Sequence, residues 1–139
     1  MKVYTDGSHS PAGSGWAAVC PDRQEAISGS LTAATNQQAE LMAVLHAVHR
    51  FGSDITIVTD SAYVIGCFTE WLPNWKRNGW RTAAGKPVLN QDIIKMGIQA
   101  GCDKVKYVKV KSHSGDYYNE LADRLAKESY LCHGELQRG

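Results

Sequence analysis

The chain has 139 residues with 15 basic and 14 acidic side chains, a formal net charge of +1; this length suits one domain with a real core, and the charge excludes a global electrostatic grip on nucleic acid, so any basic surface must be local. Cys20, Cys67, Cys102 and Cys132 are widely spread with no CxxC pair, which reads as reduced thiols in a cytoplasmic protein rather than a disulfide framework or a zinc site. No apolar run approaches a membrane span, and Asp6 interrupts the start too early for a signal peptide.

Lys2 to Asp6 reads as a short strand that stops at Gly7-Ser8, leaving Asp6 at a strand end. Gly15 to Cys20 reads as a second strand and Glu25 to Leu31 as a third, with a turn over 21–24 between them. Short connections of this kind suggest an antiparallel meander. Thr35 opens the clearest helix, with Gln38 completing a capping box and Leu41, Val44, Leu45 and Val48 as the buried stripe ending near Phe51-Gly52. Glu40 falls in the first turn on this reading, where complementing the helix dipole would account for it.

Ile55 to Thr59 is a β-branched strand ending in Asp60, with Ser61 and a helical stretch from Ala62 behind it. Asp60 as a helix cap is the ordinary explanation. Yet Asp6 and Asp60 both follow a threonine at the carboxyl end of a strand, the edge where open α/β sheets bind ligands. From Trp71 to Asn90 three of the four tryptophans (Trp71, Trp75, Trp80) are interleaved with Lys76, Arg77, Arg81 and Lys86, and no acid intervenes between Glu70 and Asp92. A short helix followed by an irregular protrusion is expected. Aromatic planes beside cations suit a sugar–phosphate backbone, and a satellite hydrophobic cluster with a solvated rim fits the composition as well.

Asn90 to Ala100 reads as a helix and Lys104 to Lys111 as a strand with a phase slip, from either a bulge or burial on both faces. A loop containing His113 follows. Asp116 is placed to cap a last helix, with Asn119 three positions on and Leu121, Ala122, Leu125 and Ala126 facing the core. Asp123 sits at the edge of that buried face, answered either by Lys127 one turn on, by plain exposure, or by a cation shared with other carboxylates.

If the first and fourth strands pair, Asp6, Glu40, Asp60 and Asp123 converge at one end of the sheet. Four carboxylates in a small volume raise one another's cost of ionising. Hard divalent cations with oxygen ligands resolve this, and Mg²⁺ fits because it keeps waters and binds phosphate oxygens. Two such ions about 4 Å apart can activate a water and stabilise the leaving oxygen of a phosphodiester. His113 has an imidazole suited to moving a proton near neutral pH.

These residues carry a family resemblance. Tyr4-Thr-Asp-Gly-Ser8, Thr35-Asn-Gln-Gln-Ala-Glu-Leu41, Thr59-Asp-Ser-Ala-Tyr-Val64, Trp75-Lys-Arg-Asn-Gly-Trp-Arg-Thr82 and the stretch from His113 through Asn119-Glu120 and Asp123 to Ala126 together cover nearly the whole chain. In that order and spacing the chain resembles type 1 ribonuclease H, which hydrolyses the RNA strand of RNA/DNA hybrids. The resemblance implies an α/β fold: a five-stranded mixed sheet, its first three strands antiparallel, flanked by helices. It implies a single catalytic domain over 1–132, a basic Trp-rich protrusion around 71–90 and a flexible tail over 133–139.

For the site, the resemblance implies that Asp6, Glu40, Asp60 and Asp123 hold two Mg²⁺ ions with substrate bound, Mn²⁺ being a substitute, and that His113 is a mobile histidine assisting proton transfer or product release. Cleavage would leave 5′-phosphate and 3′-hydroxyl ends. Asn36 and Gln37 match residues that reach 2′-hydroxyls of the RNA strand, the contact that separates RNA from DNA. Tyr63, Trp71 and Trp75 match a channel for the DNA sugars, and Thr35 and Asn90 a pocket for a DNA phosphate. Lys76, Arg77, Trp80, Arg81 and Lys86 match the basic protrusion.

Ala33 and Ala62 depart from the family, standing where some relatives place a phosphate-pocket arginine and a glutamine near the 2′-hydroxyls; both bear on affinity more than on chemistry. With no room for a separate N-terminal hybrid-binding domain, low processivity is expected. The implied partner is an RNA/DNA hybrid, with no membrane and a monomeric state. A non-catalytic hybrid-binding module and a resolvase or transposase core on the same fold are the competing readings. The clustered carboxylates argue against the first, and Asn36-Gln37 with the Trp-rich protrusion against the second.

Overall fold

The computed structural model describes residues 1–138 other than Ala33 and His113, and side chains as far as Leu131. Five strands, β1 (Lys2–Ser10), β2 (Gly13–Cys20), β3 (Glu25–Leu31), β4 (Thr56–Thr59) and β5 (Lys106–Lys109), form one sheet in the order β3-β2-β1-β4-β5. The first three strands are antiparallel neighbours, whereas β4 pairs parallel to both β1 and β5. The expected mixed sheet is the one observed.

Among the described residues five α-helices accompany it: α1 (Asn36–Phe51), α2 (Ala62–Phe68), α3 (Leu72–Arg77), α4 (Gln91–Ala100) and α5 (Tyr117–Arg138). Side chains alternate across the strands, and the alternation divides the core. Val3, Ala18 and Ile57 pack with Leu41 and Val44 of α1, Val64 and Phe68 of α2, and Ile94 of α4. Tyr4, Val19 and Val58 point to the other face and pack with Ala122, Leu121 and Leu125 of α5. Each fully buried Leu or Ile contributes about 1.5–3 kcal/mol relative to exposure.

Several local expectations are corrected. β1 does not stop at Gly7-Ser8: its ladder with β2 continues to the Ser10–Gly13 pair, although its parallel ladder with β4 ends at Tyr4–Val58. Glu40 is the fifth residue of α1, just past the first turn in which it was expected. Of the expected stripe of α1, Leu41, Val44 and Val48 are buried and Leu45 is only half-buried, while Ala43 and Ala47 widen the buried face. The cap of α2 is Ser61, whose Oγ accepts from the Val64 amide at 3.2 Å. Asp60 is therefore no cap.

β5 is shorter than expected, an edge strand of four residues. Burial accounts for its phase slip only in part: Val105 and Tyr107 pack into the larger cluster and Val110, beyond the strand, into the smaller, but Val108 is 45% exposed. Other expectations hold in detail. Thr35 and Gln38 form both halves of the capping box, and Asp116 Oδ1 accepts from the amides of Tyr118 and Asn119, each at 3.1 Å. The tail expected over 133–139 falls outside the described side chains. Among the described residues no helix is long and apolar enough to cross a membrane.

Candidate active site

The pairing of β1 with β4 builds the centre of the site. Continuing the parallel register from Tyr4–Val58 by two residues sets Asp6 level with Asp60. Glu40 joins them because α1 crosses β1 at Gly7: a Cβ there would lie 2.5 Å from the Ala39 carbonyl carbon and closer still to the Glu40 amide. One carboxylate oxygen from each of Asp6, Glu40 and Asp60 lies within 4.8 Å of the others. Three carboxylates together supply the anionic, hard oxygen ligands that suit a divalent cation.

Burial makes this cluster costly as three anions. Asp6 is 3% and Glu40 6% exposed, while Asp60 is half-buried. Burial first, then the charges of Glu40 and Asp60 and a hydrogen bond with Asp123, push the Asp6 carboxyl up to about 10. Burial and the Asp60 charge push Glu40 up to about 8, with hydrogen bonds to Asp6 and the Gly7 amide pulling the other way. Glu40 Oε2 is buried with no hydrogen-bond partner among the described residues. An orphaned carboxylate oxygen beside two more carboxylates fits a divalent cation, and protons are the alternative where no cation is bound.

Asp123 stands apart from the trio. Lys127 Nζ donates to Asp123 Oδ2 at 3.0 Å, the one-turn pair considered from the sequence, while Asp123 also faces Asp6 closely enough to raise it. The Lys127 pair is thus the observed partner of Asp123, and the clustered carboxylate oxygens are those of Asp6, Glu40 and Asp60. The His113 expectation lies outside the described residues, as does that for Ala33.

The remaining predicted residues fall in two groups. Thr35, Asn36 and Gln37 open α1, the latter two exposed. Gln38 links Thr35 to Asn90, accepting from the Thr35 amide through Oε1 at 2.9 Å and donating through Nε2 to Asn90 Oδ1 at 3.2 Å. Asn90 Nδ2 donates in turn to the Tyr63 hydroxyl at 3.0 Å. Residues 55 positions apart in sequence thus share one polar chain, in which Gln38 was legible only as half of a capping box.

Tyr63, Trp71 and Trp75 form a run of tilted rings with centroids 6.2 Å and 5.9 Å apart, and Trp80 extends it at 6.3 Å. Trp71 closes over Gly66, where no Cβ would fit under the indole. Both sequence readings of this region hold in part: Trp75 and Trp80 pack against the larger core cluster, and Trp71 remains 37% exposed. Lys76, Arg77, Arg81 and Lys86 are exposed around it. The protrusion is shaped by a bridge between Arg81 and Pro87 and by Arg81 Nη1 donating to the Gly85 carbonyl at 3.0 Å.

Sequence reasoning missed two residues besides Gln38. Ser112 donates from Oγ to Asp60 Oδ2 at 2.7 Å, and nothing in its sequence context marked it except its place next to His113. Asn119, read as a companion to the cap, is 3% exposed with Oδ1 unpaired among the described residues.

Comparison with known proteins supplies the context for this geometry. A family model described as RNase H matches residues 1–130. The ribonuclease H of Neorickettsia sennetsu is 38% identical over 135 residues, covering 91% of this chain and 89% of that protein. The ribonuclease H of Syntrophomonas wolfei is 41% identical over 136 residues, covering 91% and 93%. Among solved structures, the foamy viral protease-reverse transcriptase in complex with RNA/DNA hybrid matches with a TM-score of 0.77 at 28% identity. That match covers 94% of this chain but only 20% of the viral one. The same viral protein in complex with double-stranded DNA matches with a TM-score of 0.78 at 29% identity, covering 94% of each chain.

Proposed function

The chain belongs to the RNase H family, and on that premise we propose that it hydrolyses the RNA strand of RNA/DNA hybrids, using two Mg²⁺ ions and leaving 5′-phosphate and 3′-hydroxyl ends. The observation that carries the reading is the carboxylate trio with its orphaned Glu40 oxygen. Asp6, Glu40 and Asp60 would hold the cations, and Asp123 would join them on leaving Lys127. Bound there, Mg²⁺ supplies the Lewis acidity that makes a water nucleophilic at neutral pH and stabilises the departing 3′-oxygen.

The protein's own share is positioning. Fixed carboxylates on a strand, a strand end and a helix present the ligand oxygens without reorganisation at the moment of reaction. In the displacement, a water oxygen bonds to phosphorus, the bond from phosphorus to the 3′-oxygen breaks, and that oxygen leaves as the hydroxyl with a proton. His113 is the group assigned to assist this proton movement or product release.

Recognition follows the two polar and aromatic groups. Asn36 and Gln37, exposed at the start of α1, would contact 2′-hydroxyls of the RNA strand. The Thr35 hydroxyl oxygen is engaged by the Gln38 amide, which leaves its proton free to donate; with Asn90 it would hold a DNA phosphate. Tyr63, Trp71 and Trp75 would pack against deoxyriboses and would exclude a 2′-hydroxyl there. Lys76, Arg77, Trp80, Arg81 and Lys86 would track the backbone. A viral protein of similar fold is known in complex with an RNA/DNA hybrid, which supports this choice of substrate.

The reading takes 1–132 as one catalytic domain acting as a monomer. Buried free thiols at Cys20, Cys67 and Cys102 suit the reducing cytoplasm. Asp60→Asn is the test: turnover should be abolished while the fold and hybrid binding persist. A variant with undiminished cleavage would overturn the assignment.

A further inference from the structure

Ser112 lies just beyond β5, on the segment that returns over the end of β4. The register Thr59–Lys109, continued by the Val110 amide donating to the Thr59 carbonyl at 2.9 Å, carries this segment alongside Asp60. From there the Ser112 hydroxyl donates to Asp60 Oδ2 at 2.7 Å, the one hydrogen bond to the Asp60 side chain among the described residues. The Asp60 backbone is independently fixed: the Ser61 amide donates to Thr59 Oγ1 at 3.1 Å, and Ser61 caps α2. What remains free at Asp60 is the rotation of its carboxylate, and Ser112 is what restrains it.

We infer that Ser112 is a positioning residue that holds the Asp60 carboxylate in its cation-binding orientation. The physical reasons are two. A hydroxyl donating to an anion makes a charge-assisted bond that offsets part of the repulsion from Asp6 and Glu40. A hydroxyl also has a single proton, so it occupies one lone pair of Oδ2 and leaves the other carboxylate positions open to a cation. Partners of metal-ligating carboxylates act in this way, by orienting the ligand before the metal arrives.

The inference rests on Asp60 being a cation ligand, and the test separates the two. Wild type, Ser112→Ala, Ser112→Thr and Asp60→Asn are titrated with MgCl₂ in the absence of nucleic acid, following the amide resonances of Gly7 and Ser61, with thermal melts in chelator as a fold control. Ser112→Ala should weaken Mg²⁺ binding about tenfold, the lower end for loss of such a partner at an exposed position. Ser112→Thr, which keeps the hydroxyl, should restore it, and both variants should melt as wild type does in chelator. Wild-type Mg²⁺ affinity in Ser112→Ala, with Asp60→Asn binding lost, would overturn the positioning role alone. Equal loss in Ser112→Ala and Ser112→Thr would also overturn it, because the hydroxyl would then not be the cause. Unchanged Mg²⁺ binding in Asp60→Asn would remove the premise itself.

Discussion

Gly7 lies directly beneath the backbone of Glu40, so near that a Cβ on residue 7 would collide with the Glu40 amide. The absence of one methyl group therefore sets how close α1 comes to β1, and with it whether Glu40 can share a cation with Asp6. Gly7→Ala must push α1 outward, because the obstruction is helix backbone and not a flexible side-chain tip. The expected cost is about 1–3 kcal/mol of stability, as for overpacking generally. A displacement of Glu40 by about 1 Å should cost on the order of 100-fold in turnover. Chemical denaturation and steady-state cleavage of a hybrid check the two parts; wild-type activity in a folded Gly7→Ala protein would show that the close approach is dispensable.

The cation-free protein should lose stability as pH rises. Glu40 and Asp6 both have folded-state values raised, to about 8 and about 10, by burial and by neighbouring carboxylates. A raised carboxyl favours the fold in its protonated form. Its contribution is complete below the ordinary carboxylate range, near pH 4, and is lost as pH passes through the raised values. In chelator the melting temperature should therefore decline between about pH 5 and 10, and Mg²⁺, proposed to bind the ionised cluster, should stabilise more strongly at the upper end. Asp6→Asn should flatten the decline. Melts that are level across this range in chelator would contradict the electrostatic account of the cluster.

How much of this was legible beforehand depends on how local the cause is. Thr35 with Gln38, and Asp116 with Asn119, form caps whose partners lie three residues away, and both were readable in sequence. The trio of Asp6, Glu40 and Asp60 was readable, with Asp123, as a candidate set because Asp6 and Asp60 each follow a threonine in a strand and the other two lie on flanking helices, although only Asp60 sits at a strand end. The run of β1 through Gly7 to Ser10 was not readable, because its antiparallel neighbour β2 holds it in the sheet after its parallel neighbour β4 has ended. The burial of Glu40 was obscured by placing it in the first turn, where the helix dipole looked sufficient. Ser112 with Asp60, and Gln38 with Asn90, each join residues 52 positions apart, and no local pattern announces such a pair.

Lys127 holds Asp123 by an ion pair whose two side chains are 49% and 27% exposed. Exposed pairs one helical turn apart contribute about 0.3–0.5 kcal/mol, so Lys127→Met should barely change stability. It should nevertheless tighten Mg²⁺ binding a few-fold at low salt, because an ammonium no longer competes for Asp123, and the gain should shrink at high salt. Mg²⁺ titrations of the free protein at two ionic strengths measure it, and unchanged or weaker binding would mean that Lys127 does not oppose the cation.

The basic protrusion should reveal itself in salt dependence. If Lys76 and Lys86 each neutralise a phosphate, replacing either by Ala should lower the slope of log affinity against log salt by about 1. Turnover at saturating hybrid should stay near wild type, since neither residue adjoins the carboxylates. Binding titrations of a hybrid from low to moderate salt check this, and an unaltered slope would place the hybrid elsewhere on the surface.

The most direct measurement is cleavage of end-labelled RNA within an RNA/DNA hybrid, with Mg²⁺ and with chelator, beside lanes of single-stranded RNA, duplex RNA and duplex DNA. The carboxylate geometry and the arrangement of Asn36, Gln37 and the tryptophans predict metal-dependent cutting confined to the RNA of the hybrid, with 5′-phosphate ends. Cutting that persists in chelator, cutting of duplex DNA instead, or hybrid binding without cutting by the folded protein would contradict that account.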